Sequence, residues 1–517
     1  MIGTVKSINE KVKNNTLLAF ASTIIIGIIA HGFMFNNKIS FFDDITSIDG
    51  YSGVWLFIIG RYFLGILKIV NDHLFGTYSN SFFNGIVSLI LIAVANAMIV
   101  KILHLRKCIN IIFASSAITL STGLVCLYAY MFTAIFYSIA ILLSIFSTYI
   151  FVFYFDSQRI PFLKIIIVAF LLYLTISIYQ TYFLFGVIVY LLYILTLIFN
   201  HKIDYKNILY YITAVILSLI LYIFTNNIFF KCFSFFNNVF NIGYNSIGPS
   251  SYQGIDRISS FGFMSKDGLV EALKHILIAD DIVFKNNIYI YLFLLILLAL
   301  TITYIIIYIN KYNIFEKLCL LSTVFFIIVS ANSIYILSAN TYLYALPLYP
   351  KCLIFLLPIV FLEYLDYKQV IKNIISLILI YYIFYNCALA NNIYINRFFR
   401  LCNEISWCQT LAGRIQSISG YNDEYDVFVY GDTKNDLKYN NKNLLFDSIY
   451  PYNINSWNAY NFNRFMEYWT GFKMQSVKQN ALGEYDDIIE SMNCYPDDGS
   501  IRVVEDKILI KFSNIDK

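Results

Sequence analysis

Charge is what this chain has least of. Of its 517 residues only 13% are Asp, Glu, Lys or Arg, against 59% hydrophobic and 18% aromatic, about half the charged share of an ordinary soluble domain. That excludes a water-soluble globular protein. The basic residues are scattered and the net charge is only +4, so there is no footprint for nucleic acid. Nine cysteines form no CxxC pair and no Cys/His spacing of a zinc site. Most read as small apolar fillers, and Cys402, Cys408 and Cys494 in the polar tail leave room for one disulfide. The five histidines, His31, His73, His104, His201 and His275, include no two at ligand spacing, so no metal site is expected. A Walker A loop and a GxSxG motif are also missing.

What is present is a succession of apolar runs, each near the roughly 20 residues needed to cross a bilayer. They are Leu17–Phe35, Phe82–Leu103, Ile109–Leu127, Thr133–Phe155, Phe162–Tyr179, Tyr182–Phe199, Ile208–Phe229, Ile288–Ile309, Leu318–Leu337, Leu343–Leu362 and Val370–Ala390. The expected fold class is therefore an α-helical polytopic membrane protein with about eleven transmembrane helices. The first run follows Lys6, Lys11 and Lys13 but has no small-x-small cleavage pattern, so it is read as a retained helix.

Lys and Arg gather in alternate connections: Lys101/Arg106/Lys107, Arg159/Lys164, Lys202/Lys206, Lys311/Lys317 and Lys368/Lys372. By the positive-inside rule these face the cytoplasm together with the N-terminus. Residues 36–81, residues 230–287 and everything after Asn391 then face outward. Residues 1–390 form the expected membrane module, and 391–517 a small extracytoplasmic α/β domain. In that tail Ile395, Phe398, Cys402, Ile405, Cys408, Leu411, Ile415 and Ile418 recur at helical spacing. "YDVFVYG" reads as a strand, and "IRVV" with "KILIKF" as a tight hairpin around Glu505-Asp506.

The first outer loop puts two adjacent acids, Asp43 and Asp44, directly after a span. The following "GYSGVWLFIIGRYFLGILKIV" predicts a helix capped at Ser52 and running to about Val70, flat in the outer interface, with Arg61 and Lys68 on one face. A carboxylate beside a cation at headgroup depth is a candidate general base next to an anionic phosphate. Neighbouring side chains of an extended segment point to opposite faces, so one of the two acids faces the cavity and the other braces the loop.

Four stretches carry a family resemblance: "NNKISFFDD…GYSGVWLFIIGRYFLGIL", "YSNSFFNGIVSLILIAVANAMIV", "ISIYQTYF" from Ile176 and "SYQGIDRI" from Ser251. In their order and outward placement they resemble the bacterial serotype-converting O-antigen glucosyltransferases, the Gtr type II family. More distantly the chain is similar to the GT-C superfamily of polyprenyl-phosphate-sugar glycosyltransferases. The resemblance covers roughly Leu17 to Ala390 and leaves the tail without a motif. It implies an inverting hexosyltransferase, with undecaprenyl-phosphate-hexose as donor, glucose foremost, and a surface polysaccharide or O-antigen hydroxyl as acceptor. No cofactor and no metal are implied. The expected partners are the bilayer, the two substrates, a small flippase and a donor-synthesising glycosyltransferase.

By the same resemblance the acid of the first outer loop is the catalytic base. The first member of such a pair is usually the base, which points to Asp43 while leaving Asp44 open. Arg61 and Arg257, with Lys68, are the candidates for the donor phosphate, since a bidentate fork favours Arg. Tyr179, Gln180, Tyr252, Gln253 and Asp256 are candidates for sugar or acceptor contacts, though Tyr179 also reads as an interfacial anchor and Gln180 as a helix-end cap. Asp280-Asp281 is a rival acid pair that reads more simply as a helix cap. A polysaccharide polymerase should show arginine-rich outer loops, and a flippase should show ionisable groups or Gly/Pro breaks at the bilayer midplane. Polar chemistry here gathers at the outer face instead.

Overall fold

The computed structural model describes residues 2–39, 44–45, 56, 59–77, 79–154, 161–240, 312–337, 345–364, 369–431, 459–474, 477–479 and 485–514. They divide into two compact units, Met1–Asn37 with Ser52–Asn391, and Lys38–Tyr51 with Asn392–Lys517. The second unit groups Asn392–Lys517 with the segment Lys38–Tyr51, which was expected to belong to the first outer loop.

The first unit is helical. Its elements are α1 (Ile2–Asn36), α2 (Tyr62–Phe75), α3 (Ser81–Ile102), α4 (Cys108–Thr119), α5 (Thr122–Ala129), α6 (Ala134–Phe153), α7 (Pro161–Ile178), α8 (Phe183–Phe199), α9 (Tyr205–Phe240), α10 (Ile314–Leu337) and α11 (Leu356–Tyr364). A last helix, α12 (Gln369–Gln416), begins here and continues into the second unit. Among the described residues six helices are long and apolar enough to cross a bilayer, or seven when α4 and α5, bent by 40° at their junction, count as one span. Helices α7 and α8 are apolar but shorter, at Phe162–Ile178 and Phe183–Phe199. This is a polytopic membrane protein. The span expected at Ile288–Ile309 lies outside the described residues.

The chain marks its own helix ends. Asn80 Oδ1 accepts from the Phe83 amide at 3.0 Å to start α3, and Asp204 Oδ1 accepts from the Lys206 amide at 3.0 Å to start α9. At α10 Asn313 and Glu316 form a reciprocal capping box: Glu316 N donates to Asn313 Oδ1 at 2.8 Å and Asn313 N to Glu316 Oε2 at 3.1 Å.

One expected span is not a helix throughout. Over 345–364 a turn leads into a 3-10 segment, Tyr349–Phe355, before α11 begins. Pro347 and Pro350 have no N–H to give an α-helix. The irregular backbone is tolerated because it is buried in protein. Tyr349, 1% exposed, packs over Gly123 and donates its hydroxyl to Ile118 O at 3.0 Å.

Polar side chains join the helices inside this unit. Asn96 Nδ2 on α3 lies 3.0 Å from Thr23 Oγ1, 3.2 Å from Ser115 O and 3.3 Å from Thr119 Oγ1, while His31 Nε2 donates to Thr119 O at 2.8 Å. Glu363 at the end of α11 accepts from the Arg106 amide at 3.0 Å and from Asn110 Nδ2 at 2.8 Å. Helices α6 and α8 approach so closely that a Cβ on Gly186 would sit 2.4 Å from Ser144 O. Gly186 N donates to Ser144 Oγ at 2.7 Å and Thr148 Oγ1 to Gly186 O at 3.0 Å. Small residues with hydroxyl partners are the usual means of bringing helix backbones together where water exclusion contributes little.

In the second unit β1 (Asp426–Tyr430), β2 (Val477–Gln479), β3 (Ile501–Val504) and β4 (Lys507–Lys511) form one sheet in the order β2-β1-β4-β3. Strand β1 is parallel to β2 and β4, with Val427 opposite Ile508 and Val429 opposite Ile510, and β3–β4 is an antiparallel hairpin. Strands β1, β3 and β4 lie where "YDVFVYG", "IRVV" and "KILIKF" put them, whereas β2 had no such signal. Phe428, Tyr430 and Leu509 pack with Tyr485, Ile489 and Met492, the last three around helix α14 (Asp486–Ser491), which follows α13 (Ala459–Thr470). Cys402, Cys408 and Cys494 are free thiols, with Cys408 buried and Cys402 exposed, so the anticipated disulfide does not form.

The amphipathic helix expected from Ile395 is the latter part of α12. Cys408, Leu411 and Ile415 are buried as their spacing implies, but Ile395 and Cys402 are exposed. The buried stripe above Cys408 is Ile393, Arg397, Leu401 and Glu404. Arg397 Nη1 donates to Glu404 Oε2 at 3.1 Å, which lets two charged residues occupy core positions.

Replacing Gly186 by Ala should lower the thermal unfolding midpoint of the detergent-purified protein, because the methyl meets backbone that cannot yield. An overpacking cost of about 1–3 kcal/mol is expected. An unchanged midpoint would show that α6 and α8 are free to separate.

Candidate functional site

Within the first unit the chain enters α2 through a turn at Ile59–Gly60. Gly60 has φ +75°, and a Cβ there would lie 2.5 Å from the Tyr222 hydroxyl and 3.0 Å from Asn226 Oδ1. Only glycine satisfies both the left-handed backbone and the close approach. The turn breaks the helix expected from Ser52 to about Val70, and α2 begins at Tyr62 with Arg61 as its N-terminal flanking residue.

That position sends the Arg61 side chain to the turn between α7 and α8. Its Nε donates to Gln180 Oε1 at 3.3 Å and its Nη1 to the Tyr137 hydroxyl at 3.4 Å. Its guanidinium carbon lies 4.5 Å from the centre of the Tyr179 ring, a favourable cation–π placement. An amide, a phenol and a ring face, all neutral, thus orient one cation. Gln180 in turn donates from Nε2 to Ile59 O at 2.9 Å and to the Tyr222 hydroxyl at 3.2 Å. Tyr137 and Tyr179, which meet the guanidinium, pack edge-on at a centroid separation of 5.0 Å, and Tyr182 tilts against Tyr179 behind them at 4.5 Å. Beneath them Tyr62 donates or accepts a 2.7 Å hydrogen bond with Thr225 Oγ1 and stacks on Phe229 at 4.8 Å. Burial pushes the Tyr62 phenol well above its usual range, against the pull of the Thr225 hydrogen bond.

Arg61, Tyr179 and Gln180, drawn from separate stretches of sequence, are therefore brought together. Gln180 is not at an open helix end: both of its amide hydrogens are committed inside the protein. Tyr179, 3% exposed, is buried rather than anchored in an interface. Tyr137, Tyr222 and Gly60 also belong to this cluster, and sequence reasoning did not single them out. With 44 tyrosines in the chain, pattern alone could not have chosen two of them, whereas Gly60 in "IIGRY" was a readable turn signal.

Lys68 sits differently from its expected placement beside Arg61. It is buried and forms an ion pair with Asp72 one turn later on α2. The face of α2 turned outward is apolar, with Ile66, Ile69, Val70, Leu74 and Phe75 exposed and Tyr62, Leu64, Gly65 and Lys68 buried. The helix presents hydrocarbon, and not its lysine, to its surroundings, an arrangement suited to contact with lipid, while the buried Lys68 charge is offset by its Asp72 partner one turn away.

In the second unit Asp44 is 1% exposed and pairs with Lys38. Asp43, Tyr252, Gln253, Asp256 and Arg257 lie outside the described residues, as does the rival pair Asp280-Asp281. Among the described residues no group of three or more His, Cys, Asp or Glu could hold a metal ion.

Comparison with known proteins gives one match: a family model described as Glucosyl transferase GtrII matches residues 32–362, well over half of the chain. No curated protein and no solved structure matches. The matched span contains Asp44, Lys68 and the whole Arg61 cluster, and stops before the strands of the second unit.

Changing Asp72 to Asn should strand the buried Lys68 charge and lower stability by about 2–4 kcal/mol. The double change Lys68→Met with Asp72→Leu should recover most of that loss. A thermal unfolding series in detergent checks both, and equal midpoints for wild type and Asp72→Asn would rule out a stabilising pair.

Proposed function

The chain belongs to the glucosyl transferase GtrII family, and we propose that this membrane glycosyltransferase moves a hexose, glucose first among candidates, from undecaprenyl-phosphate-hexose to a hydroxyl of a surface polysaccharide or O-antigen. The observation that carries the reading is the Arg61 guanidinium, oriented by Gln180, Tyr137 and Tyr179 at the start of α2. An arginine fixed in this way suits the phosphate of a lipid-linked sugar. Arg257 is the proposed second arm of the clamp. Lys68 could join them only after its pair with Asp72 opens.

The reaction proposed is a single inverting displacement of GT-C type at the outer face of a bacterial inner membrane. The acceptor oxygen attacks the anomeric carbon, the bond from that carbon to the phosphate oxygen breaks, and the acceptor proton passes to a carboxylate. Negative charge on the departing polyprenyl phosphate grows as the bond breaks, so a phosphate clamp stabilises the transition state more than the bound donor. No metal or cofactor is required in this scheme. Asp44, tied to Lys38, suits the bracing role, which leaves Asp43 as the base. Tyr252, Gln253 and Asp256 are the proposed sugar and acceptor contacts.

The wider arrangement we propose has about eleven spans, a cytoplasmic N-terminus, and the second unit outside. A small flippase would deliver the donor and a separate glycosyltransferase would make it.

The test is to incubate the purified full chain with undecaprenyl-phosphate-glucose and a lipid-linked polysaccharide acceptor, and to follow release of undecaprenyl phosphate. Asp43→Asn should lower kcat by about 10²- to 10⁴-fold, and Asp44→Asn by less. Full turnover in both variants would remove the assigned base, and loss of turnover on adding a chelator would remove the metal-free scheme.

A further inference from the structure

We propose that Tyr222 is a positioning residue for Arg61, acting through the Gln180 amide; the inference rests on Arg61 gripping the donor phosphate. The hydrogen bonds between them have a fixed direction. Ile59 O and Gly60 O are carbonyl oxygens and can only accept. The Gln180 atom 2.9 Å from Ile59 O must therefore be the NH₂ nitrogen, and the same nitrogen gives its second hydrogen to the Tyr222 oxygen at 3.2 Å. The Tyr222 proton then goes to Gly60 O, also at 3.2 Å. With both hydrogens used on that side, the amide oxygen must face the other way, toward Arg61 Nε, which can only donate, at 3.3 Å. Each link agrees with the next from both ends of the chain. Reversing the amide would set an NH₂ against Nε–H and an oxygen against Ile59 O, two repulsive contacts in place of two hydrogen bonds.

Gln180 lies between Tyr222 and Arg61 in this chain, accepting from Arg61 Nε with its oxygen and donating to Tyr222 with its nitrogen. Tyr222 is 5% exposed, on α9, and its ring stacks on Tyr62 at 6.1 Å and 19°. A phenylalanine in its place keeps the stacking and removes one oxygen. The glycine at position 60 belongs to the same device, since its missing Cβ is what lets the Tyr222 hydroxyl reach the turn. The role assigned to Tyr222 is to hold Gln180 in the single orientation that aims Arg61.

A double-mutant cycle on kcat/KM for undecaprenyl-phosphate-glucose tests this, using wild type, Tyr222→Phe, Arg61→Ala and the double variant of the full chain. Arg61→Ala should cost about a hundredfold, and Tyr222→Phe about three- to tenfold, the worth of one hydrogen bond. The double variant should be no worse than Arg61→Ala, because a residue acting through Arg61 has nothing left to act on. If the two losses multiply, or if Tyr222→Phe keeps wild-type kcat/KM, the inference is overturned. If Arg61→Ala itself keeps wild-type kcat/KM, it is the phosphate reading that fails, and the inference goes with it. Should Tyr222→Phe not accumulate, Tyr222→Met, which also removes the hydroxyl, enters the cycle in its place, with the same expected and overturning results.

Discussion

A buried polar group in an apolar helical bundle has no water to fall back on, and this fold is organised around meeting that condition. Helix backbones satisfy themselves, so the constraint falls on side chains and on the places where helices break. Asn96 between α1, α3 and α4, Glu363 over the amides of Arg106 and Lys107, and Gln180 between the Gly60 turn and α9 are three answers to it. In each case one planar group with several acceptor or donor sites joins elements that are far apart in sequence. Such groups have few alternative partners in hydrocarbon, so they define geometry more sharply than apolar contacts do.

Seen this way, Arg61 is an outcome of the same rule. Its guanidinium lies at the boundary of the bundle, where one helix has just been forced to start late by a left-handed glycine. Gln180, one of the groups that hold it, is itself held by the Ile59 carbonyl of the turn that precedes it. The cation and its support therefore form one closed loop through Ile59, Gly60, Tyr222 and Gln180. In the proposed reaction, transfer from a lipid phosphate needs a cation whose position does not have to be found anew in each turnover, and this loop would supply it.

What could be read from the sequence follows the range of the interactions involved. Apolar runs mark most helices to within a few residues, as at Phe82–Leu103 against Ser81–Ile102, because burial in lipid depends on composition alone. The strands around Phe428 and Leu509 were legible for the same reason, since period-two alternation is local. The broken segment before Leu356 was not, although Pro347 and Pro350 stood in plain view, because a long apolar run outweighs two prolines when only hydropathy is counted. At the candidate site Arg61, Tyr179 and Gln180 were singled out with the help of the family resemblance and lie together in the structure, but Tyr222 was hidden among many tyrosines. Its role depends on a contact spanning more than a hundred residues, which no local signal encodes. Lys68 was misjudged for a related reason: a helical wheel shows which residues share a face, not which face turns inward.

Arg397 and Glu404 illustrate how a helix can carry charge along a buried stripe without reading as amphipathic. They occupy positions seven residues apart on α12, each nearly free of solvent, and close on one another. Arg400 Nε, one turn before the glutamate, lies 3.7 Å from its other oxygen, so Glu404 is shared between two arginines of the same helix. The carboxylate is thus the common partner of the stripe, and an aliphatic residue in its place would remove both ion pairs at once.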